Sequence, residues 1–214
     1  MEDKIIKNFI YKLEQVLGEK LKSCVLYGSY LKGTYKKGVS DINLLVIVDS
    51  LEYKDLRDIE KKISKYAYKN FLNVFFFPEW FFLKSSDVFP VEWQDIKENS
   101  LVIYGNDYIK KIEINKEHLR IELERKIKQL FLDFQQGIIF EKDKYYLINE
   151  TIKNLKFLLQ LVEKQMMKKL ILPDFLKQER KIKKVEFSVL IDEILKFFSQ
   201  IIFLIDEDFK KGAE

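Results

Sequence analysis

One stretch limits what this chain can fold into: CVLYGSYLKGTYKKGVSDINLLVIVD, residues 24–49. An apolar segment, Cys24 to Tyr27, runs into a Gly28-Ser29 turn, and a basic loop punctuated by Gly33 and Gly38 follows. A second apolar segment, Ile42 to Val48, is entered through Ser40 and Asp41. Short apolar runs bounded by Gly, Ser and Asp predict two strands joined by a loop. Gly28 lets the backbone approach an anion closely, and Ser29 adds a hydroxyl beside its own N–H, so the turn suits a polyphosphate. Side chains alternate along a strand, which puts Asp41 and Asn43 on one face and Ile42 and Leu44 on the other. Oxygen-bearing groups then converge where a hard cation such as magnesium could bridge protein and phosphate oxygens. The plainer alternative is a hairpin-like turn whose Ser-Asp entry caps local backbone.

Gly28-Ser29, eleven intervening residues, and Asp41-Ile42-Asn43-Leu44-Leu45-Val46 resemble the signature of the polymerase-beta-like nucleotidyltransferase superfamily. The likeness is greatest to its minimal nucleotidyltransferases and aminoglycoside adenylyltransferases, and it covers the first half of the chain. In that family a Gly-Ser turn is followed by Asp-x-Asp or Asp-x-Glu, whose acids hold the metals. Here Asn43 stands at the second acid, an amide that can coordinate a cation but brings no charge. The family's third acid sits on a later strand beside the Asp-x-Asp strand. Pro90-Val91-Glu92, with Tyr104-Gly105 downstream, is similar to the corresponding part of the aminoglycoside adenylyltransferases, so the resemblance implies Glu92 there, with Asp95 second. Either residue is otherwise a surface carboxylate.

The resemblance implies a nucleoside triphosphate whose outer phosphates lie on Gly28 and Ser29, with Lys32 or Lys36 offsetting charge and Ser40 and Asn43 completing the nucleotide site. Magnesium or manganese would be held by Asp41, Glu92 and Asn43. A hydroxyl acceptor, deprotonated by Glu92, would attack the alpha phosphorus and release pyrophosphate, which makes Asp41 and Glu92 the implied catalytic pair. C-terminal helices would select the acceptor. The rival reading, which Asn43 supports, is a nucleotidyltransferase fold with lost or weakened turnover, serving as a nucleotide-binding or protein-interaction module.

The rest of the chain predicts an α+β protein: an N-terminal mixed β-sheet with helices of nucleotidyltransferase type, residues 1–112, followed by a C-terminal α-helical bundle, residues 113–214. Glu2 to Lys20 carries Ile5, Phe9, Leu13, Val16 and Leu17 at helical spacing, with Gly18 as a stop. Glu52 to Asn70 repeats the pattern with Leu56, Ile59, Ile63 and Tyr66, and is expected to cross over the sheet between two strands. Phe71 to Phe77 predicts a strand and Pro78-Glu79-Trp80 a helix start. Pro90 to Ile96 is expected as a strand with Val91, Trp93 and Asp95 on one face. Phe75, Phe76, Phe77, Trp80, Phe81 and Phe82 are expected in the core or in helix packing.

Beyond Glu117 only helical periods remain. Leu119, Leu123, Ile127, Leu130 and Phe134 make a stripe ending at Gly137, and Ile148, Ile152, Leu155, Leu159, Val162 and Met166 make another. Phe187 to Phe209 is apolar over a broad sector, expected to be buried inside the bundle or against a second copy in a homodimer.

Composition excludes several classes. With 47% apolar and 34% charged residues the chain is an ordinary globular one, not a disordered one. No apolar run approaches the ~18 residues of a membrane span, and MEDKIIKNF lacks a signal peptide's apolar region. A single cysteine cannot form an internal disulfide. These features point to a cytoplasmic protein without a membrane partner. The net charge of +4 is spread over lysines alternating with acids, which argues against nucleic acid as a partner. Nucleotidyltransferase domains often accompany helical ribonuclease-toxin domains, which place a His a few residues after an Arg. The one histidine, His118, follows Ile112, Glu113 and Ile114, so that pair does not exist here.

Overall fold

The computed structural model describes residues 2–33, 35, 40–177 and 186–211. Two compact units make up the chain, Met1–Asn115 and Lys116–Glu214. The first holds α1 (Glu2–Leu17), β1 (Leu21–Tyr27), β2 (Ile42–Val48), α2 (Tyr53–Ile59), α3 (Lys65–Lys69), β3 (Leu72–Pro78), α4 (Glu79–Lys84), α5 (Pro90–Glu98) and β4 (Ser100–Gly105). A π-helical turn, Glu60–Ser64, makes α2 and α3 one continuous rod. The strands form a mixed sheet in the order β3-β2-β1-β4. β1 is antiparallel to β2 and β4, and β2 is parallel to β3, which requires the crossover that the α2–α3 rod supplies.

Both faces of the central strands are covered, which is why their letters are almost continuously apolar. On one face Phe9, Leu13 and Leu17 of α1 pack on Cys24, Leu26, Leu44 and Val46. On the other, Val25, Leu45 and Ile47 meet Phe82, Trp93 and Ile96. Burial pushes the Cys24 thiol up to about 12, so the residue acts as a small apolar filler.

Residues Pro90 to Ile96 are not a strand. They form α5, with Pro90 in its first turn, where its fixed φ and missing N–H do no harm. The reason is visible in what is buried. Val91, Trp93 and Ile96 go inside, whereas strand alternation would have driven the charged Asp95 into the core instead of Ile96. Trp93 Nε1 donates to the Ser85 carbonyl at 3.1 Å, tying α5 to the end of α4. The aromatic run is also less buried than its composition suggests: Phe82 is core, while Phe75, Trp80 and Phe81 are exposed. Leu56, on the outer side of α2, is exposed as well.

The corner between α3 and β3 is strained. Phe71 adopts φ 55°, the left-handed conformation in which helices usually place glycine or asparagine, at a cost on the order of 1–2 kcal/mol for a residue with a Cβ. Its carbonyl accepts a hydrogen bond from the Ile42 N–H at 2.8 Å, so the corner is fixed against the start of β2.

The second unit contains α6 (Lys116–Phe140), α7 (Lys144–Gln165), α8 (Asp174–Lys177) and α9 (Phe187–Lys211). Asp143 caps α7 by accepting from the Tyr146 N–H at 2.9 Å. The two stripes meet as the periodicity requires, with Leu119, Leu123, Ile127 and Phe134 of α6 and Ile148, Ile152, Leu155 and Leu159 of α7 all buried. Gly137 does not end α6, which continues to Phe140. A Cβ there would lie 2.5 Å from a Leu147 methyl, so this glycine permits close approach of α7. From α9, Leu190, Ile194, Phe198, Ile201 and Ile205 are buried while Phe203 is exposed. Among the described residues no helix is long and apolar enough to cross a membrane.

Two stability outcomes follow for the first unit, whose fluorescence is reported by the chain's two tryptophans, Trp80 and Trp93. Gly105 has φ +73°, and a Cβ would fall 2.1 Å from the Lys22 carbonyl oxygen, so Gly105→Ala is expected to cost more than ~2 kcal/mol in urea unfolding. The neighbouring Ser23 hydroxyl is fully buried with no partner among the described residues. Ser23→Ala is therefore expected to be neutral or to stabilise by up to ~1 kcal/mol. A loss on Ser23→Ala comparable to that on Gly105→Ala would contradict the assignment of Ser23, and a neutral Gly105→Ala would contradict that of Gly105.

Acid sensitivity has a local source. Lys20 Nζ lies 2.7 Å from the Asp55 carboxylate, which also accepts from the Glu52 N–H at 2.9 Å. These bonds, Lys20's foremost, hold the Asp55 carboxyl below its ordinary range. Because the folded value is the depressed one, this stabilisation is present above the ordinary carboxylate range and is lost as pH falls through the folded value. Asp55→Asn should lower Tm at neutral pH and match the parent in acid. A Tm difference that is the same at both pH values would rule the pair out as the cause.

Candidate functional site

Strand directions bring the selected residues to one end of the sheet. Antiparallel pairing sets Tyr27, the last residue of β1, opposite Asn43 near the start of β2, and also opposite Ser100 at the start of β4. Parallel pairing sets Asn43 opposite Asn73 of β3. Beyond Tyr27 the chain makes a single 3-10 turn, Gly28–Tyr30, in which the Leu31 and Lys32 N–H groups donate to the Gly28 carbonyl at 3.1 and 3.3 Å.

Gly28 is required twice over. Its φ is +83°, and a Cβ would lie 2.7 Å from the Asn43 amide nitrogen. The turn therefore rests directly on the Asn43 side chain. On its other side the Asn43 carboxamide oxygen accepts a hydrogen bond from Asn73 Nδ2 at 3.0 Å. Turn, β2 and β3 are thus joined through one amide. Burial pushes the adjoining Tyr27 phenol upward.

Asp41 is exposed immediately before β2, while Ile42 is buried, in keeping with the expected alternation. Asp41 lines an open pocket of about 370 Å³ together with Tyr68, Lys69, Phe71, Leu72 and Asn73. Ser40 and Ser29 are half-buried at the two ends of the connecting loop, and Lys36 and Gly38 lie outside the described residues.

Of the two carboxylates considered for a third acid, Asp95 is bonded to the loop beyond the turn. Lys32 Nζ donates to Asp95 Oδ1 at 2.6 Å, and the same oxygen accepts from Asn99 Nδ2 at 2.9 Å. Glu92 is exposed on α5, one helical turn earlier, rather than on a strand. The residue that does sit on the strand beside β2 is Asn73, which the sequence reading passed over. A signal was available: Asn73 is the lone polar residue in LNVFFFP, and asparagine is depleted in strands.

Among the described residues, the oxygen-bearing side chains at the start of β2 and beside it include the carboxylate of Asp41, the two carboxamides of Asn43 and Asn73, and the hydroxyls of Ser29 and Ser40. No three His, Cys, Asp or Glu side chains among the described residues are placed to share a metal ion. Magnesium commonly takes one or two protein carboxylates and fills its remaining positions with water and substrate phosphate. Asp41 with these neutral oxygens fits one such cation.

Comparison with known proteins identifies the family to which this fold belongs. The MJ1305 protein of Methanocaldococcus jannaschii, described as a candidate protein adenylyltransferase, is 34% identical over 84 residues, covering 35% of this chain and 54% of that protein. The chain thus spans about half the length of the curated relative it matches. The crystal structure of spectinomycin adenyltransferase AAD(9) from Enterococcus faecialis with ATP and spectinomycin shares the fold, with a TM-score of 0.55 at 14% identity over 97% of this chain and 99% of that one. A family model described as a nucleotidyltransferase domain matches residues 6–207, and the chain belongs to that family.

Proposed function

We propose that the first unit binds a nucleoside triphosphate with one divalent cation at the Gly28-Ser29/Asp41 end of the sheet and transfers its nucleoside monophosphate to a hydroxyl group. The observation that carries this is the seating of the Gly28 turn on Asn43 beside Asp41, in a chain of the nucleotidyltransferase domain family. Backbone N–H groups of the turn and the Ser29 hydroxyl would hold the outer phosphates. Lys32, oriented by Asp95, adds positive charge beside them. Asp41 supplies the charged oxygen for magnesium or manganese, with Asn43 a neutral oxygen behind it; the cation, when bound, contributes Lewis-acid polarisation of the phosphates. Glu92, on the exposed side of α5, is assigned removal of the acceptor proton. The relative's description makes a protein hydroxyl the first acceptor to test.

The Asn43–Asn73 hydrogen bond favours a second reading, a nucleotide-binding module with weakened turnover. Two amides stand on adjacent strands where acids would strengthen cation binding. One set of measurements separates the readings: calorimetry with ATP, GTP, CTP and UTP plus manganese, and pyrophosphate release with a hydroxyl-bearing protein acceptor. Asp41→Ala is expected to weaken metal-dependent triphosphate binding at least about tenfold, or ~1.4 kcal/mol. Asn43→Asp keeps the shape and the bond from Asn73 while adding charge. Turnover by the parent supports transfer, and turnover by Asn43→Asp alone supports the weakened module. A parent that binds none of the four triphosphates would sink both.

A further inference from the structure

We propose that the pocket beside Asp41 seats the nucleoside of the bound triphosphate, with Phe71 and Tyr68 as the stacking surfaces for its base. This rests on the function proposed above. Neighbouring strands are about 4.8 Å apart, and three sites lie in sequence across them: the Gly28 turn at β1, Asp41 at β2, and the pocket at the start of β3. With the outer phosphates on the turn and the alpha phosphate near Asp41, the nucleoside continues toward β3. The pocket found there has about 370 Å³ and two aromatic walls.

The state of those walls supports the assignment. Tyr68 is 89% exposed and Phe71 49% exposed, in a pocket that Lys69 also lines. Phe71 occupies a left-handed corner that glycine would adopt without strain, and half of its surface remains in water. Its packing is therefore a poor explanation for the backbone strain, and strain of this kind collects at ligand sites. An aromatic face held at a fixed corner is what sequence-tolerant base stacking uses. Asn73 gives one amide hydrogen to Asn43, which leaves a second hydrogen and its carbonyl oxygen for a ribose hydroxyl or a base edge.

Calorimetry in manganese tests this by comparing ATP with inorganic tripolyphosphate, which has the phosphates and no nucleoside. The proteins are the parent, Phe71→Gly and Tyr68→Ala, the first relieving backbone strain and the second trimming an exposed ring, with Tm confirming that each is folded. Each variant is expected to lose about tenfold in ATP affinity, the scale of one lost stacking partner, and to bind tripolyphosphate as the parent does. Unchanged ATP affinity, or equal losses for both ligands, would overturn the assignment. So would intact ATP affinity with a raised KM for the acceptor, since the pocket would then belong to the acceptor. A parent that binds tripolyphosphate but gains nothing from the nucleoside defeats this inference alone, whereas a parent that binds neither ligand defeats the proposed function with it.

Discussion

The contact between Gly28 and the Asn43 carboxamide is what the rest of the site depends on. A side chain at position 28 would collide with Asn43, and the positive φ that turns the chain off β1 would be strained as well. The contact also fixes strand register. A slip of one residue between β1 and β2 would bring Ile42 or Leu44 toward the turn and send Asn43 to the face packed against α1. Core packing on both sides of the sheet resists that slip, since Leu44, Leu45, Val46 and Ile47 are all buried. Sheet burial and site geometry are therefore set by the same register.

The paired asparagines give this end of the sheet a particular electrostatic character. Two carboxylates side by side on neighbouring strands repel unless a cation lies between them. Asn43 and Asn73 instead share one neutral hydrogen bond, a pairing that involves no repulsion for a cation to offset. Nearby charge is divided: Asp41 stands exposed at the pocket, while Asp95 is engaged by Lys32 and Asn99. Under the proposed function, the ligand's own phosphates would supply much of the negative charge that holds a cation.

The glycine turn, the two flanking strands, the crossover rod and the α6 and α7 stripes were legible in the sequence because each depends on local chemistry or a clear period. Cys24 to Tyr27 and Ile42 to Val48 could be placed without knowing their neighbours. Asn73 could not, because its importance comes from lying opposite Asn43, a relation created by parallel pairing across thirty residues of helix and loop. Residues 90–96 were misjudged because proline followed by alternating valine, tryptophan and aspartate fits a strand as readily as a helix start. Tertiary contact decided the matter: Trp93 and Ile96 pack with Phe82, one helical turn apart. Gly137 shows the same limit, since glycine near the end of a helical stripe signals a stop, yet here it provides room for Leu147.

With residues 90–98 helical, β3 remains an edge strand, and α5 covers the sheet face over Val25, Leu45 and Ile47. The part of that face nearest the site end is left to Asn43, Asn73 and the exposed Phe75. Three departures from local preference gather around this region: a phenylalanine in the left-handed region, an asparagine in an aromatic strand, and large aromatic rings left in water. Each is unfavourable or neutral for folding alone. Sequences are usually consistent with their own fold except where function imposes another demand. Their concentration between Tyr68 and Phe75, beside the strand that carries Asn43, accords with the binding role proposed for this corner.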